Sequence, residues 1–228
     1  MATTLRWLGH GTWLISTAGK TILLDPFLND SPTAPVKADE VKPDVILISH
    51  GHFDHVADAA AIANRTDATV VAIYEICDWL GKQGVKNLEQ MNIGGAIDLP
   101  PIGRVKMTMA HHSSMLPDGS DGGNPGGFLL TLEDATIYLA CDTALFRDMQ
   151  LIGAAGLDLA VVPIGDRFTM GPADAVEAVK LLKPRRVAPA HYNTWPPIEQ
   201  DAAAWAKLVK TETEAEPIVI EPGGTITL

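Results

Sequence analysis

Three histidines and an aspartate fall within one six-residue stretch, His50-Gly51-His52-Phe53-Asp54-His55, directly after the apolar run Val45-Ile46-Leu47-Ile48-Ser49. Imidazole and carboxylate are the nitrogen and oxygen donors that bind divalent cations, and a held cation gives this density of them a purpose. The apolar run reads as a strand ending at Ser49, and a helix is expected to begin near Asp54. The donors then sit in a strand-to-helix loop at a sheet edge, where open α/β folds carry their chemistry. His50 and His52, two apart on an extended segment, can face the same side and share one cation. Asp54 and His55, adjacent at the helix start, can address a second.

A pair of cations needs further donors, and the ends of other expected strands offer them. His112 follows Val105–Met109, Asp142 follows Thr136–Ala140, and His191 follows Val187–Pro189. Taken singly, each reads more readily as a surface or hydrogen-bonded residue. Taken with the hexapeptide, they complete a ligand set, and the two oxygens of Asp142 suit it to bridge two cations. Asp25, at a strand end before Pro26, is placed to accept the second N–H of a ligand imidazole and fix its tautomer. His10, in a glycine-flanked turn, is a candidate for the same work, for a pocket wall or for a part in catalysis. Asp54 is the candidate for passing a proton after attack. Asp166, Phe168, Asn193 and Trp195 are candidates to line a substrate cleft. No cysteine joins the set, so the donors are nitrogen and oxygen only, which suits zinc first and also manganese or iron.

The elements that must position these residues alternate along the chain. Strands are expected at Thr4–Trp7, Thr12–Ser16, Thr21–Leu24, Val45–Ser49, Thr69–Ile73, Val105–Met109, Gly127–Thr131, Thr136–Ala140, Leu159–Pro163, Arg186–Pro189, Ile218–Ile220 and Thr225–Leu228. Helical patterns intervene at His55–Ala63, Glu75–Lys82, Phe146–Ala155, Ala173–Leu182 and Glu199–Glu212. Turn-sized gaps between the first three strands favour hairpins, and the later alternation favours helix-covered sheets. Strands, then helices, then the same again predict an α/β (α+β) fold: a four-layer αββα sandwich of two mixed sheets with helices outside. No linker divides the chain, so residues 1–228 are expected to form a single domain.

The chain has 228 residues, 17 Lys and Arg against 28 Asp and Glu, and a formal net charge of −11. So acidic a surface repels a phosphate backbone, and Lys183, Arg185 and Arg186 make the densest basic group. Nucleic acid is therefore disfavoured, while bound cations would keep a small anionic substrate open. The two cysteines, Cys77 and Cys141, lie in apolar stretches and read as small buried side chains rather than a disulfide framework. No secretory signal or apolar run of membrane-spanning length is read, so a cytoplasmic location is expected. Trp195 and Trp205 could serve a homo-oligomer interface or simply the core.

With these residues in view, the sequence resembles the metallo-β-lactamase superfamily over essentially its whole length. The match is His50-x-His52-x-Asp54-His55, then His112, Asp142 and His191 in the expected order. More narrowly it resembles the metal-dependent hydrolase family similar to ascorbate-6-phosphate lactonase-like and phospholipase D-type members. Leu8-Gly9-His10-Gly11, Leu24-Asp25-Pro26-Phe27-Leu28, Gly123-Asn124-Pro125-Gly126-Gly127-Phe128, Phe168-Thr169-Met170-Gly171-Pro172 and His191-Tyr192-Asn193-Thr194 carry that likeness. The resemblance implies that His50, His52 and His112 hold one metal, that Asp54, His55 and His191 hold the other, and that Asp142 bridges. It favours His112 over His111 as the ligand and leaves His111 a pocket or supporting residue. Cys141 departs from the pattern, where many relatives carry glycine.

Two cations about 3.5–4 Å apart would hold a water as hydroxide near neutral pH, ready to attack a carbonyl or phosphoryl centre. The expected function is thus hydrolysis of a small ester, lactone or phosphodiester. The alternatives are an RNA-processing or other phosphodiesterase nuclease of the same superfamily, and a non-catalytic metal-binding module.

Overall fold

The first two strands show how the sequence fixes its register. A computed structural model describes residues 2–228. In β1 (Thr4–Trp7) and β2 (Trp13–Thr17), inward apolar residues alternate with outward ones, the period of two that one-residue slippage would invert. Leu5 pairs with Ile15 and Trp7 with Trp13, so the large side chains meet on one face. β3 (Lys20–Leu24) continues antiparallel, whereas β4 (Val45–Leu47) joins it parallel. α1 (Phe53–Val56) and α2 (Ala59–Thr66) cross over to β5 (Thr69–Ile73), and α3 (Tyr74–Lys82) leads to the parallel edge strand β6 (Leu88–Met91).

The second sheet repeats that succession. β7 (Ala96–Leu99), β8 (Gly103–Met109), β9 (Gly126–Leu132) and β10 (Thr136–Leu139) run antiparallel to their neighbours. After α4 (Met149–Gly153), β11 (Leu159–Pro163) pairs parallel with β10; after α5 (Pro172–Leu182), β12 (Arg186–Ala190) pairs parallel with β11. α6 (Ala202–Glu212) precedes β13 (Glu216–Pro217), and β14 (Thr225–Thr227) returns to the first sheet beside β1. The orders are β14-β1-β2-β3-β4-β5-β6 and β13-β12-β11-β10-β9-β8-β7, two mixed seven-stranded sheets. One buried cluster draws on both, including Trp13, Ile46, Phe128, Val162 and Trp205. Trp205 is therefore core rather than an exposed interface residue. Strands buried throughout, such as β11, read as unbroken apolar runs because both of their faces are covered.

Several expected boundaries shift, each for a local reason. The helix expected at His55–Ala63 is broken into α1 and α2 at Asp58. Its N–H donates to the Pro26 carbonyl, and its Oδ2 accepts from the N–H groups of Leu28 at 2.6 Å and Asn29 at 3.1 Å. The helix expected at Glu199–Glu212 starts only at Ala202, where Asp201 caps it by accepting from the Ala204 N–H at 2.9 Å. The helix expected at Phe146–Ala155 contracts to α4. The strand expected at Ile218–Ile220 moves to Glu216–Pro217, where the ladder to β12 holds two residue pairs. Two strands, β6 and β7, were not expected. Both are half-exposed edge strands with little apolar alternation. Among the described residues no helix is long and apolar enough to cross a membrane.

Candidate metal centre

The chain turns out of its strands onto one edge, and the polar residues there converge. Asp25 and His191 follow β3 and β12 directly; His50, His112 and Asp142 follow β4, β8 and β10 within three residues; His10 follows β1 by the same interval. The backbone is left-handed at His10 (φ 51°), Asp25 (φ 43°), Cys141 (φ 54°) and His191 (φ 54°). Non-glycine residues there cost of order 1–3 kcal/mol each, and such strain collects where a site over-determines the chain. Cys141 is thus at a position whose backbone suits glycine, which adopts this conformation without penalty.

Two groups of donors form. In the first, His50 Nε2 lies 2.9 Å from His52 Nδ1, and His112 Nε2 lies 3.2 Å from that same nitrogen. In the second, ligand atoms of His10, Asp54, His55 and His191 all lie within 4.8 Å of one another. Asp142 Oδ2 stands between them, 3.0 Å from His191 Nε2, 3.5 Å from His55 Nε2, 3.6 Å from His112 Nε2 and 4.0 Å from His50 Nε2. His55 Nε2 is buried without a hydrogen-bond partner. An orphaned imidazole nitrogen beside a buried carboxylate is what a cation would satisfy. Zinc at about 2.0–2.1 Å from each donor sets tetrahedral ligands about 3.3 Å apart, close to these spacings. The residues fit a metal.

Hydrogen bonds behind the donors decide which nitrogens face inward. Asp25, almost fully buried, accepts from the Ser49 N–H at 2.7 Å, the Ser49 hydroxyl at 2.6 Å and His55 Nδ1–H at 2.9 Å. His55 therefore presents the lone pair of Nε2. Because the Ser49 hydroxyl donates to Asp25, its oxygen is left to accept from His50 Nδ1 at 2.9 Å, which frees His50 Nε2 in turn. His10 Nε2–H donates to Asp54 Oδ2 at 2.9 Å, and its Nδ1 accepts from the Thr194 hydroxyl at 2.8 Å. The Ser114 hydroxyl accepts from the Gly51 N–H at 3.0 Å and steadies the hexapeptide loop.

Protonation follows the same plan. Burial drives His50 well below the ordinary imidazole value, with His55 adding to it. Burial likewise lowers His52 and His112, and takes His10 down to about 4. Burial opposes a charge on His55 as well, but Asp142, Asp54 and Asp25 outweigh it and raise that imidazole well above the ordinary value. Burial also disfavours the charge on Asp142 and Asp54, yet His191 and His55 hold the first well below the carboxylate range, and His55 and His10 hold the second below it. Neutral imidazoles and ionised carboxylates are the forms that bind cations, so His55, whose carboxylate neighbours favour its charged form, must give up its Nε2 proton when a cation enters.

Above the donors lies a cleft of about 870 Å³, walled by Phe53, Met115, Leu116, Phe168 and Trp195, with Arg167 among the lining residues. Phe168 and Trp195 occupy the expected cleft positions. Asp166, Asn193 and His111 do not. Asp166 is exposed and folds its own loop, its carbonyl accepting from the Phe168 and Thr169 N–H groups. Asn193 Oδ1 accepts from the Gln200 N–H at 2.7 Å, away from the cleft. His111 is exposed, its ring 5.1 Å from that of Phe146, while His112 turns inward. Sequence reasoning missed Ser49, Thr194 and Arg167. Ser49 was read only as a strand end, Thr194 only as part of the stretch after His191, and Arg167 carried no signal.

Residues 4–191 match the family described as the beta-lactamase superfamily domain. The chain is 47% identical over 227 residues to a UPF0173 metal-dependent hydrolase of Pelotomaculum thermopropionicum, covering 97% of this chain and 98% of that one. To another from Bacillus cytotoxicus it is 49% identical over 226 residues, with 96% and 97% covered. Igni18, described as a novel metallo hydrolase from the hyperthermophilic archaeon Ignicoccus hospitalis, has a solved structure similar to this one. The TM-score is 0.91 at 34% identity, and 100% of this chain and 99% of that chain are covered. The two mixed sheets and the histidine-aspartate cluster at their edge define a metal-dependent hydrolase of the metallo-β-lactamase fold. Within that superfamily the chain belongs to the UPF0173 metal-dependent hydrolases.

Proposed function

We propose that the protein hydrolyses a small ester, lactone or phosphodiester at a pair of divalent cations, zinc first and manganese or iron as alternatives. His50, His52 and His112 hold one cation, Asp54, His55 and His191 hold the other, and Asp142 lies between them. The observation that carries this reading is the position of Asp142 Oδ2, within 4.0 Å of ring nitrogens from both groups. When bound, the cations supply a water acidic enough to ionise near neutral pH and positive charge where an oxyanion develops.

The chain's own residues set the geometry. Asp25 and Ser49 fix the tautomers of His55 and His50 through the hydrogen bonds above. His10, held by the Thr194 hydroxyl, engages Asp54 Oδ2 and orients that carboxylate for ligation or for a proton in transit to the leaving oxygen. Asp54 is the proposed proton carrier, and His10 acts through it. Apolar walls stand around the polar floor of the cleft. Arg167 is the one basic side chain among the cleft's lining residues, which supports a small-molecule substrate over nucleic acid. Donors drawn from strand ends of both sheets support reading residues 1–228 as one catalytic domain. Two unpaired cysteines suit a reducing, cytoplasmic setting.

His52→Ala and Asp54→Ala test the assignment. Each should lose bound metal and turnover on a panel of esters, lactones, thioesters and phosphodiesters while its circular dichroism stays that of the parent. Full activity in either variant overturns the two-cation assignment.

A further inference from the structure

The cleft keeps its polar groups on the floor and its apolar groups on the walls. Phe53, Phe168 and Met115 stay 55%, 54% and 61% exposed around this one opening. Exposed apolar residues scattered singly need no explanation, but three facing one concave site do. These walls are braced. The Phe53 ring meets buried Phe27 edge-on at 5.8 Å, and Trp195 closes the group at 5.9 Å from Phe27 and 6.2 Å from Phe53. On the opposite side, buried Leu116 packs so closely on Gly51 that a Cβ there would lie 3.2 Å from its side chain. The Leu116 N–H donates to the Ser120 carbonyl, and Trp79 Nε1–H donates to Asp118 Oδ2 at 2.9 Å, which pins that loop. Walls set in advance lose little freedom when an apolar group enters.

Charge narrows the ligand further. The chain carries −11 overall, yet the cleft's acidic residues are Asp54 and Asp142 on the floor, and its one basic residue is Arg167. The Arg167 guanidinium sits 5.6 Å from the centroid of the Phe168 ring, at the same wall. An apolar wall with a cation beside it favours a molecule that is apolar along one arm and carries an anionic oxygen group.

We propose that the substrate is an ester or lactone with one apolar arm, seated against Phe53, Met115, Phe168 and Trp195, and one anionic oxygen group, read by Arg167. This rests on the hydrolytic reading above. In the reaction, water oxygen bonds to the acyl carbon as the ester C–O bond breaks; one water proton goes to the departing alkoxide, and the new acid leaves as carboxylate and proton.

Calorimetric binding of butyrate, octanoate and 1-octanol to the zinc-loaded protein tests the cleft without turnover, and p-nitrophenyl butyrate and octanoate test it with turnover. Each buried methylene contributes up to about fourfold in affinity, so octanoate should bind at least about tenfold tighter than butyrate, and kcat/KM should rise from the butyrate to the octanoate ester. Phe168→Ala should weaken octanoate and 1-octanol alike; Arg167→Gln should weaken octanoate severalfold and leave 1-octanol unchanged. Equal binding of octanoate and butyrate, or octanoate binding indifferent to both substitutions, overturns the inference even if esters are cleaved. Octanoate binding of the expected pattern with no ester, lactone or phosphodiester cleaved overturns the hydrolytic reading and the substrate class with it, and leaves standing only the cleft's preference for an apolar arm beside an anionic oxygen group.

Discussion

Replacing Asp25 with asparagine changes one atom and should disable the second cation site. The carboxylate accepts three hydrogen bonds, from the Ser49 N–H, the Ser49 hydroxyl and His55 Nδ1–H. The amide of Asp25→Asn has a single accepting oxygen, so its NH2 must face one of these donors. Turned toward Ser49 N–H, it leaves a buried backbone donor unpaired, at about 1–3 kcal/mol. Turned toward His55, it forces Nδ1 to accept, and the imidazole proton moves to Nε2, the atom facing Asp142 Oδ2 at 3.5 Å. That nitrogen can then no longer ligate a cation. The metal-free variant should therefore be about 2 kcal/mol less stable in urea. The zinc site that includes His55 should lose about 10–100-fold in affinity by competition with a chromophoric chelator. Because Ser49 also links Asp25 to His50, the site that includes His50 should weaken too, but by less. Two zinc affinities within threefold of the parent, with unchanged stability, would refute the tautomer argument.

Two further outcomes follow from the same packing. His10 has an ordinary value of 6.5 and a folded value of about 4, so between these pH values the unfolded chain binds more protons. The His10 contribution to the stability of the metal-free protein should be fully present above pH 6.5 and fall as pH drops toward 4, by about 3 kcal/mol. His50, His52 and His112, also lowered, act in the same sense, while His55, raised, opposes them mainly above pH 6.5. Urea unfolding at pH 7, 6 and 5 checks it, and a flat profile contradicts it. Gly165→Ala would place a Cβ 2.2 Å from the His191 carbonyl oxygen and 3.3 Å from its Nδ1. The variant should lose about 1–3 kcal/mol by thermal melting, together with zinc affinity at the site that includes His191; an unchanged melt and unchanged affinity would exclude that contact.

The parts of this molecule legible in its sequence are those where one physical signal dominates. Thr4–Trp7, Thr69–Ile73 and Leu159–Pro163 stand at their expected bounds because burial on one or both faces leaves an unmistakable apolar pattern. Leu88–Met91 and Ala96–Leu99 were invisible because edge strands with exposed faces are chosen by their neighbours, not by their own residues. The repeated succession of antiparallel then parallel strands has no counterpart in residue identity, since each half buries different side chains. In the site, strand-end position singled out His112, Asp142 and His191. It could not separate His111 from His112, because consecutive residues in a loop differ by orientation alone. Nor could it find Thr194 or Arg167: a threonine that sets a tautomer and an arginine beside a phenylalanine acquire meaning only from what the fold sets against them.

A two-cation centre divided between two groups of donors fixes the zinc content of each chain and of its variants. Elemental mass spectrometry on zinc-loaded parent, His112→Ala and His191→Ala proteins, each freed of loosely bound metal, should give about two zinc ions per chain in the parent and about one in each variant. One zinc in the parent, or two retained in either variant, would contradict the account.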